Sequence, residues 1–569
     1  MMQRYDSVVT ALASFYPRPV EPSEELRDAL LFLGWNSSAE EVVRAGYGAG
    51  LIVGCVSVLS LLFVPSTLRL VVALLGAGTV LLIVQMTHSL PGLVATARRS
   101  SALGSAPDLV ARAVLSMRLE PTPERAAEFA AQTGEGVLAK DLETHIRQTH
   151  NTAQSGLDSF GDAWADLFPS LRRSFALVVV AGRTKTADRY RLLDRALAVV
   201  LEGTSDQLQA FAARIRAPVT ALYAFGVLLP TALVALLPAA GAAGVVVTPA
   251  TVVGLYNLAL PGALSVTALW LLARRPVSFP PPEVTHTHPD VPDRRRLAVM
   301  SGATAAVVSW FLTETVLPGW GPPVAATGLG FGVALVVAHQ PVVSVYDHVR
   351  EAEEGLADAL ELVGRRVANG RAVESAIEDA ANELDGAMGD LLAFGVKQQR
   401  QLHVGVREAF LGRHGALDTV PSPRVRGSFA LLALAAHEGR PAGAALLAMA
   451  EHTDDLQRIE REARQQLAYV CRTLVNTAAL FGPLVAGSTV ALAEGIGNEG
   501  ELLGGDQSLG WLGAPVGVYV LFLAVILTAL SVGLIRGFDR SLIGYRIGRT
   551  LVASTVVYLC SYHLVGTVL

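Results

Sequence analysis

The chain alternates between long stretches without charge and two blocks in which charged residues are frequent. A helix needs about 20 mainly apolar residues to cross a bilayer. This pattern predicts an all-α polytopic membrane protein with about nine transmembrane helices. The predicted spans are residues 47–65, 68–87, 218–239, 251–273, 298–317, 322–340, 471–493, 513–535 and 548–567.

Small residues recur inside two of these stretches. Gly46, Gly50 and Gly54 are spaced four apart at the first span, and the sixth contains GLGFG at 328–332. In lipid, small residues at such spacing let neighbouring helix backbones approach closely. We therefore expect both stretches to be helix-packing faces.

The two polar blocks, 88–217 and 341–470, have helical rather than strand periodicity. In the second block the apolar positions form two stripes separated by Asn369-Gly370, a pair that favours the end of a helix. In the first block Thr122 and Pro123 are a predicted N-cap and first helical residue. Each block is predicted to be an antiparallel helical bundle. The stripes are Leu356, Leu360, Val363 and Val367, then Val373, Ala376, Ile377 and Ala380.

The two blocks resemble each other at a shift of 250 residues, which places 105–133 over 355–383. Each block follows a pair of apolar stretches and precedes a span that carries a proline, Pro230 or Pro483. Order and length therefore repeat together, which predicts a parallel duplication. The identities are Asp108 over Asp358, Glu124 over Glu374, and Ala126, Glu128, Ala130 and Ala131 over Ala376, Glu378, Ala380 and Ala381.

Composition and charge predict how the chain is oriented in the membrane. Apolar residues make up 51% of the 569 positions and charged residues only 17%, and the net charge of −5 does not indicate a nucleic-acid partner. Arginines concentrate in the loops at 274–297 and 536–549, whereas 494–512 has no lysine or arginine. The excess of positive charge in cytoplasmic loops predicts that the N-terminus and both blocks are cytoplasmic and that the C-terminus is outside.

The predicted organisation has eight parts. These are an N-terminal cytoplasmic helical arm (1–46), transmembrane helices 1 and 2 (47–87), a first bundle (88–217), helices 3 and 4 (218–273), a Pro/Arg-rich cytoplasmic linker (274–297), helices 5 and 6 (298–340), a second bundle (341–470) and helices 7 to 9 (471–569).

Signatures of catalysis are missing from the sequence. A phosphate-binding loop needs a lysine after a glycine-rich turn, and none of the three lysines, Lys140, Lys185 and Lys397, has that context. Cys55, Cys471 and Cys560 are far apart, without metal-ligand spacing. We expect no enzymatic activity, no cofactor and no metal.

The order of a helical bundle, its spans and a second copy of the same unit resembles the architecture of the type II secretion system F domain family. The resemblance is carried by the paired stretches 105–133 and 355–383, by the proline-bearing spans after each block, and by LLFLGWNSSAEEVVRAGYGAG at 30–50. Members are membrane platform proteins of type IV pili, tight-adherence pili, type II secretion and the archaeal flagellum. Nine spans resemble the archaeal branch, since bacterial members usually have fewer.

The resemblance implies a platform that couples a separate cytoplasmic secretion ATPase to the extraction of pilin-like subunits from the lipid bilayer. From the family we also expect a homodimer. The candidate contact with the ATPase is the turn formed by Arg365, Arg366, Asn369, Gly370 and Arg371. Charges there could equally serve only to solvate the helix ends.

Pro230 and Pro483 are candidate hinges within the membrane, and a tolerated packing kink is the alternative. Two other functions remain open at this stage. One is a permease subunit of an ATP-driven transporter, and the other is a membrane scaffold or sensor without transport.

Overall fold

The computed structural model describes residues 2–62, 69–134, 136–149, 155–242, 248–275, 284, 288, 291–418, 420–438, 442–502, 510–537 and 539–568. All regular elements in these ranges are helices, and they contain no strand. The all-α fold class predicted from periodicity is therefore confirmed for the described part of the chain.

The N-terminal region contributes four helices, and the last two are long and mainly apolar. A capping box starts α3, since the side chains of Ser38 and Glu41 each accept a bond from the other residue's backbone N–H group. Arg44 donates from Nε to the carbonyl of Tyr16 at 2.9 Å and ties α3 to the end of α1. The helices are α1 (Met2–Ala13), α2 (Glu24–Leu33), α3 (Ala39–Ser60) and α4 (Arg69–Gly104).

The first polar block contributes six helices around a core that includes Phe160, Phe168 and Phe175. As predicted, Thr122 is the N-cap residue of α6 and Pro123 its first helical residue. The helices are α5 (Ala106–Leu119), α6 (Pro123–Thr133), α7 (Val137–Thr149), α8 (Gly156–Ala163), α9 (Pro169–Gly182) and α10 (Thr186–Tyr223).

An apolar region follows. Short π-helical segments interrupt its helices after α10 and after α12. In order, the elements are a first π segment (Ala224–Leu228), α11 (Leu229–Ala242), α12 (Pro249–Val253), a second π segment (Gly254–Ala259), α13 (Leu260–Ala273), α14 (Arg295–Glu314) and α15 (Gly321–Glu354).

The second polar block has the two apolar stripes predicted for it, and all eight of their residues are buried. Gly370 has φ +90°, the left-handed conformation that ends the first of these helices. The elements are α16 (Leu356–Ala368), α17 (Val373–Glu383), α18 (Gly386–Leu402), α19 (Val406–Leu411), a 3-10 turn (Ala416–Asp418), α20 (Pro423–Glu438) and α21 (Ala442–Asn476).

The chain ends in a second apolar region, formed by a third π segment (Thr477–Phe481), α22 (Gly482–Leu502), α23 (Gly513–Arg536) and α24 (Arg540–Val568). Across the described residues, nine helical segments are long and apolar enough to cross a membrane, as expected of a multi-pass membrane protein. The last is continuous through Tyr562 and His563, two polar residues near the chain end.

Glycines set the closest helix contacts in the apolar region. A Cβ on Gly332 of α15 would lie 2.9 Å from the Gly548 carbonyl oxygen, and one on Gly548 of α24 would lie 2.6 Å from that of Gly332. On α3, a Cβ on Gly50 would lie 2.7 Å from the side chain of Val84 on α4. Both glycine-rich stretches are thus packing faces, as the sequence predicted.

The reciprocal pair predicts that Gly548→Ala is destabilising. Its new methyl group would meet backbone atoms of α15, which cannot move aside as a side chain can, so we expect a loss of about 1–3 kcal/mol. Gly78→Ala in α4 is the control, because nothing lies within 4 Å of its Cβ position. Thermal unfolding of the detergent-solubilised chain measures both, and equal midpoints would contradict the packing argument.

Candidate functional site

Two long helices connect the polar blocks to the apolar regions without a break. One runs from Thr186 to Ala242 through α10, the first π segment and α11; the other runs from Ala442 to Leu502 through α21, the third π segment and α22. At 1.5 Å per residue, α10 alone, with 38 residues, is about 57 Å long. A displacement of a block can therefore reach the apolar region along these rods.

A proline follows each π segment within two residues. Proline has no N–H and its ring clashes with the carbonyl four residues earlier, which an extra residue in the preceding turn relieves. The Leu229 N–H accordingly bonds to the Ala224 carbonyl and the Gly482 N–H to the Thr477 carbonyl, five residues back. The candidate hinge residues Pro230 and Pro483 thus lie just after local changes of helix type.

Hydroxyl groups from neighbouring helices stabilise the first of these sites. The Tyr519 hydroxyl of α23 donates to the carbonyl of Gly226, which is the group four residues before Pro230. The Tyr256 hydroxyl donates to the Pro230 carbonyl at 2.5 Å, and the two tyrosine rings meet edge to face at 5.5 Å. At the site beside Pro483, the Ser561 hydroxyl of α24 donates to the Pro483 carbonyl at 3.5 Å.

A third site of the same kind was not predicted from the sequence. The second π segment, Gly254–Ala259, precedes Pro261, and Tyr256 lies within it. The signal was present in the sequence as NLALPGAL at 257–264, which resembles FGVLLPTAL around Pro230. The first and second π segments are therefore linked directly through Tyr256.

The two polar blocks contact each other through α5, α10, α20 and α21. Leu115 of α5 is buried in the apolar core of the second block. A Cβ on Gly427 of α20 would lie 2.1 Å from a guanidinium nitrogen of Arg112, so the Arg112 side chain packs directly on the backbone of α20. Arg112 is held in that position by a 2.8 Å bond to the Thr133 carbonyl.

A charge cluster lies at this contact, which we name the block joint: Asp108 from α5, Glu353 from α15, Arg424 from α20, and His452 and Glu460 from α21. Arg424 lies 3.5 Å from Glu460, and both side chains are largely buried. Burial alone would lower the pKa of Arg424, but the three carboxylates of the joint outweigh burial and raise it.

Two other groups of the block joint are shifted mainly by burial. Burial raises the pKa of Glu353 despite the neighbouring Arg424, and the Ser422 hydroxyl donates to the Glu353 carboxylate at 2.5 Å. Burial lowers the pKa of His452 to about 4. His452 is therefore a neutral, buried imidazole at neutral pH.

The candidate ATPase contact forms an exposed, internally paired turn. Arg371 lies 3.0 Å from Asp379, Arg366 contacts Asp379 and Glu383, and Arg365 pairs with Glu361. Asn369 caps α16, and Gly370 is exposed beside it. The structure thus brings Arg366 and Arg371 together around Asp379, while Arg365 points to a separate partner.

Protein-family models, curated proteins and solved structures were all compared with this chain, and none of them matches it. The arrangement must be interpreted from its own geometry. It joins two polar blocks by buried charges and continues each block as a rod that changes helix type beside a proline. A continuous helix of this kind can transmit movement from a block to the apolar region. Within the described residues, no group of three potential metal ligands is present.

The block joint predicts a pH dependence. Between its lowered folded pKa of about 4 and the unfolded value of about 6.5, His452 takes up a proton only in the unfolded chain, so stability is lost as pH falls through that range. Glu353 acts oppositely, because a raised folded pKa favours folding as pH falls. We expect His452→Gln to reduce the acid destabilisation measured as unfolding midpoint against pH.

His348→Gln is the matched control for His452→Gln, because His348 is exposed on α15. Its midpoint should follow the wild-type pH profile. Identical profiles for all three proteins between pH 4 and 7 would show that His452 does not titrate as a buried group.

The tyrosine contact predicts the effect of Tyr519→Phe. Removing the hydroxyl leaves the buried Gly226 carbonyl without that donor, at a cost of about 1–3 kcal/mol. Tyr469→Phe removes the same group from a side chain that is 81% exposed and should have no effect. The measurement is again thermal unfolding in detergent, and a Tyr519→Phe midpoint equal to that of Tyr469→Phe would rule the contact out as a stabilising one.

Proposed function

We propose that this chain is the integral membrane platform of a type IV pilus-like or type II secretion-like machine. It would couple a separate cytoplasmic secretion ATPase to the extraction of pilin-like subunits and to filament assembly. One observation carries the proposal: each of two polar helical blocks continues without a break into an apolar helix that changes type beside a proline.

The order of elements supports a duplicated unit. In each half a long helix with an internal proline, Pro91 in α4 or Pro341 in α15, leads into the polar block. A rod, a π segment and a second proline then follow in both halves. The starts of corresponding short helices also differ by the same 250 residues, since α6 starts at Pro123 and α17 starts at Val373.

Coupling an ATPase motor to the membrane is the function that best fits a polar block joined to such a rod. A block pushed by an ATPase would move its rod, and the π segment gives that rod a place where it can bend. The block joint would make the two blocks move together, because separating buried opposite charges is costly. A protein with this construction needs an external energy source, as the absence of a phosphate-binding loop from the sequence also suggests.

The proposal places both blocks in the cytoplasm, where a secretion ATPase would act. The arginine-rich loops 274–297 and 536–549 support that orientation. The exposed turn around Gly370 is the proposed ATPase contact. Arg365 and Arg371 are more than half exposed there, so both remain accessible to a partner.

Binding to the pilus-type secretion ATPase of the same organism tests this proposal. The full chain in detergent should retain the ATPase on an affinity column, and Arg365→Glu with Arg371→Glu should weaken binding about tenfold through charge repulsion. The matched control is Arg147→Glu with Arg172→Glu, two exposed, ion-paired arginines of the first block. An equal loss in both double variants would contradict a specific contact at the turn.

Deleting the gene tests the wider function. Cells without the chain should lack surface filaments by electron microscopy, and the wild-type gene should restore them. Filaments that persist in the deletion strain, together with no retention of the ATPase, would overturn the platform proposal in favour of a scaffold or permease.

A further inference from the structure

A cavity of about 450 Å³ lies between α21, α23 and α24, where these helices leave the apolar region towards the polar blocks. Four arginines line it: Arg472 from α21, Arg536 from the end of α23, and Arg546 and Arg549 from the beginning of α24. Among the described lining residues there is no acidic side chain. The cavity is therefore strongly basic.

The positive charge of this cavity is not neutralised within the described part of the chain. None of the four arginines forms a salt bridge there, although Arg549 lies over the ring of Tyr545. Arg536 is also repelled by the nearby Arg350, Arg464 and Arg546. Asp539, the acidic residue next to α24, accepts bonds from the backbone N–H groups of Ser541 and Leu542. Accumulated like charge of this kind favours binding of an anion.

The deeper walls of the cavity are mainly apolar and include Val475, Ala479, Val532 and Ala553. Thr528 also lines it, and the buried Thr528 hydroxyl has no hydrogen-bond partner among the described residues. A ligand that fits would place a negatively charged group beside the four arginines and an apolar chain along the helices. Basic pockets between transmembrane helices on the cytoplasmic side bind anionic lipid headgroups in this way.

We propose that this cavity binds one anionic phospholipid, with its phosphate at Arg546 and Arg549 and an acyl chain against α21 and α23. The lipid would neutralise the arginines next to the third π segment, which contributes Ala479 to the wall. It would thereby hold α21 to α23 and α24 at the point where the second rod enters the apolar region. A free phosphate could satisfy the arginines but not the apolar walls.

The test uses the full chain, stripped of lipid in a neutral detergent and titrated with dioleoyl phosphatidylglycerol, dioleoyl phosphatidylcholine or inorganic phosphate. Phosphatidylglycerol should raise the unfolding midpoint saturably. In the double variant Arg546→Gln with Arg549→Gln, the lipid concentration that gives half of the midpoint shift should rise about thirtyfold. Each arginine near a charged surface contributes roughly a factor of five to binding, and the variant lacks two of them. Both side chains are exposed, so the variant should fold.

Arg295→Gln with Arg296→Gln is the matched control, because it removes two exposed arginines from the start of α14, outside the cavity. Its titration should equal that of the wild type. A second variant, Ala553→Phe, narrows the apolar part and should weaken phosphatidylglycerol binding without removing an arginine.

Four results would overturn the proposal. Absence of any midpoint change with phosphatidylglycerol would exclude the site, and an equal effect of phosphatidylcholine would show that the apolar chains act alone. An equal effect of inorganic phosphate would make it a site for soluble anions. An equal loss in the cavity and control double variants would reduce it to general attraction between basic protein and acidic membrane.

Discussion

A proline inside a long buried helix removes one backbone donor, and its ring clashes with the carbonyl four residues earlier. The two rods and their neighbouring helices in this protein are arranged around that constraint. In an apolar layer an unpaired carbonyl costs several kcal/mol, because no water is present to bond it. The chain responds with a π segment before Pro230, Pro261 and Pro483. It also supplies hydroxyls from Tyr519, Tyr256 and Ser561, which fixes how the surrounding helices must pack.

Two kinds of close contact hold the helices of the apolar region together. Helices α15 and α24 meet at glycines whose backbones nearly touch, so their contact has one close geometry. The rods meet their neighbours through hydroxyl-to-carbonyl bonds beside a change of helix type.

At the other end of the rods the blocks are held to each other by charge as well as by apolar contact. Asp108, Glu353 and Glu460 surround the buried Arg424 and stabilise its positive charge, and Asp108 comes from the other block. Removing Arg424 would leave the carboxylates of the joint without their buried cation, which is far costlier than losing an exposed salt bridge. The joint thus connects the two blocks through buried charge as well as through apolar contact.

The sequence by itself determined the helical class, the nine apolar segments, the stripes of α16 and α17, the start of α6 at Thr122 and Pro123, and the turn at Gly370. These follow from local rules of period, length and backbone preference, which need no knowledge of distant residues. The tertiary structure alone decided that Arg112 packs on Gly427, that Tyr519 reaches the Gly226 carbonyl, and that Arg472 joins Arg536, Arg546 and Arg549 in one cavity. Such contacts depend on which helices become neighbours, and neither periodicity nor charge along one chain contains that information.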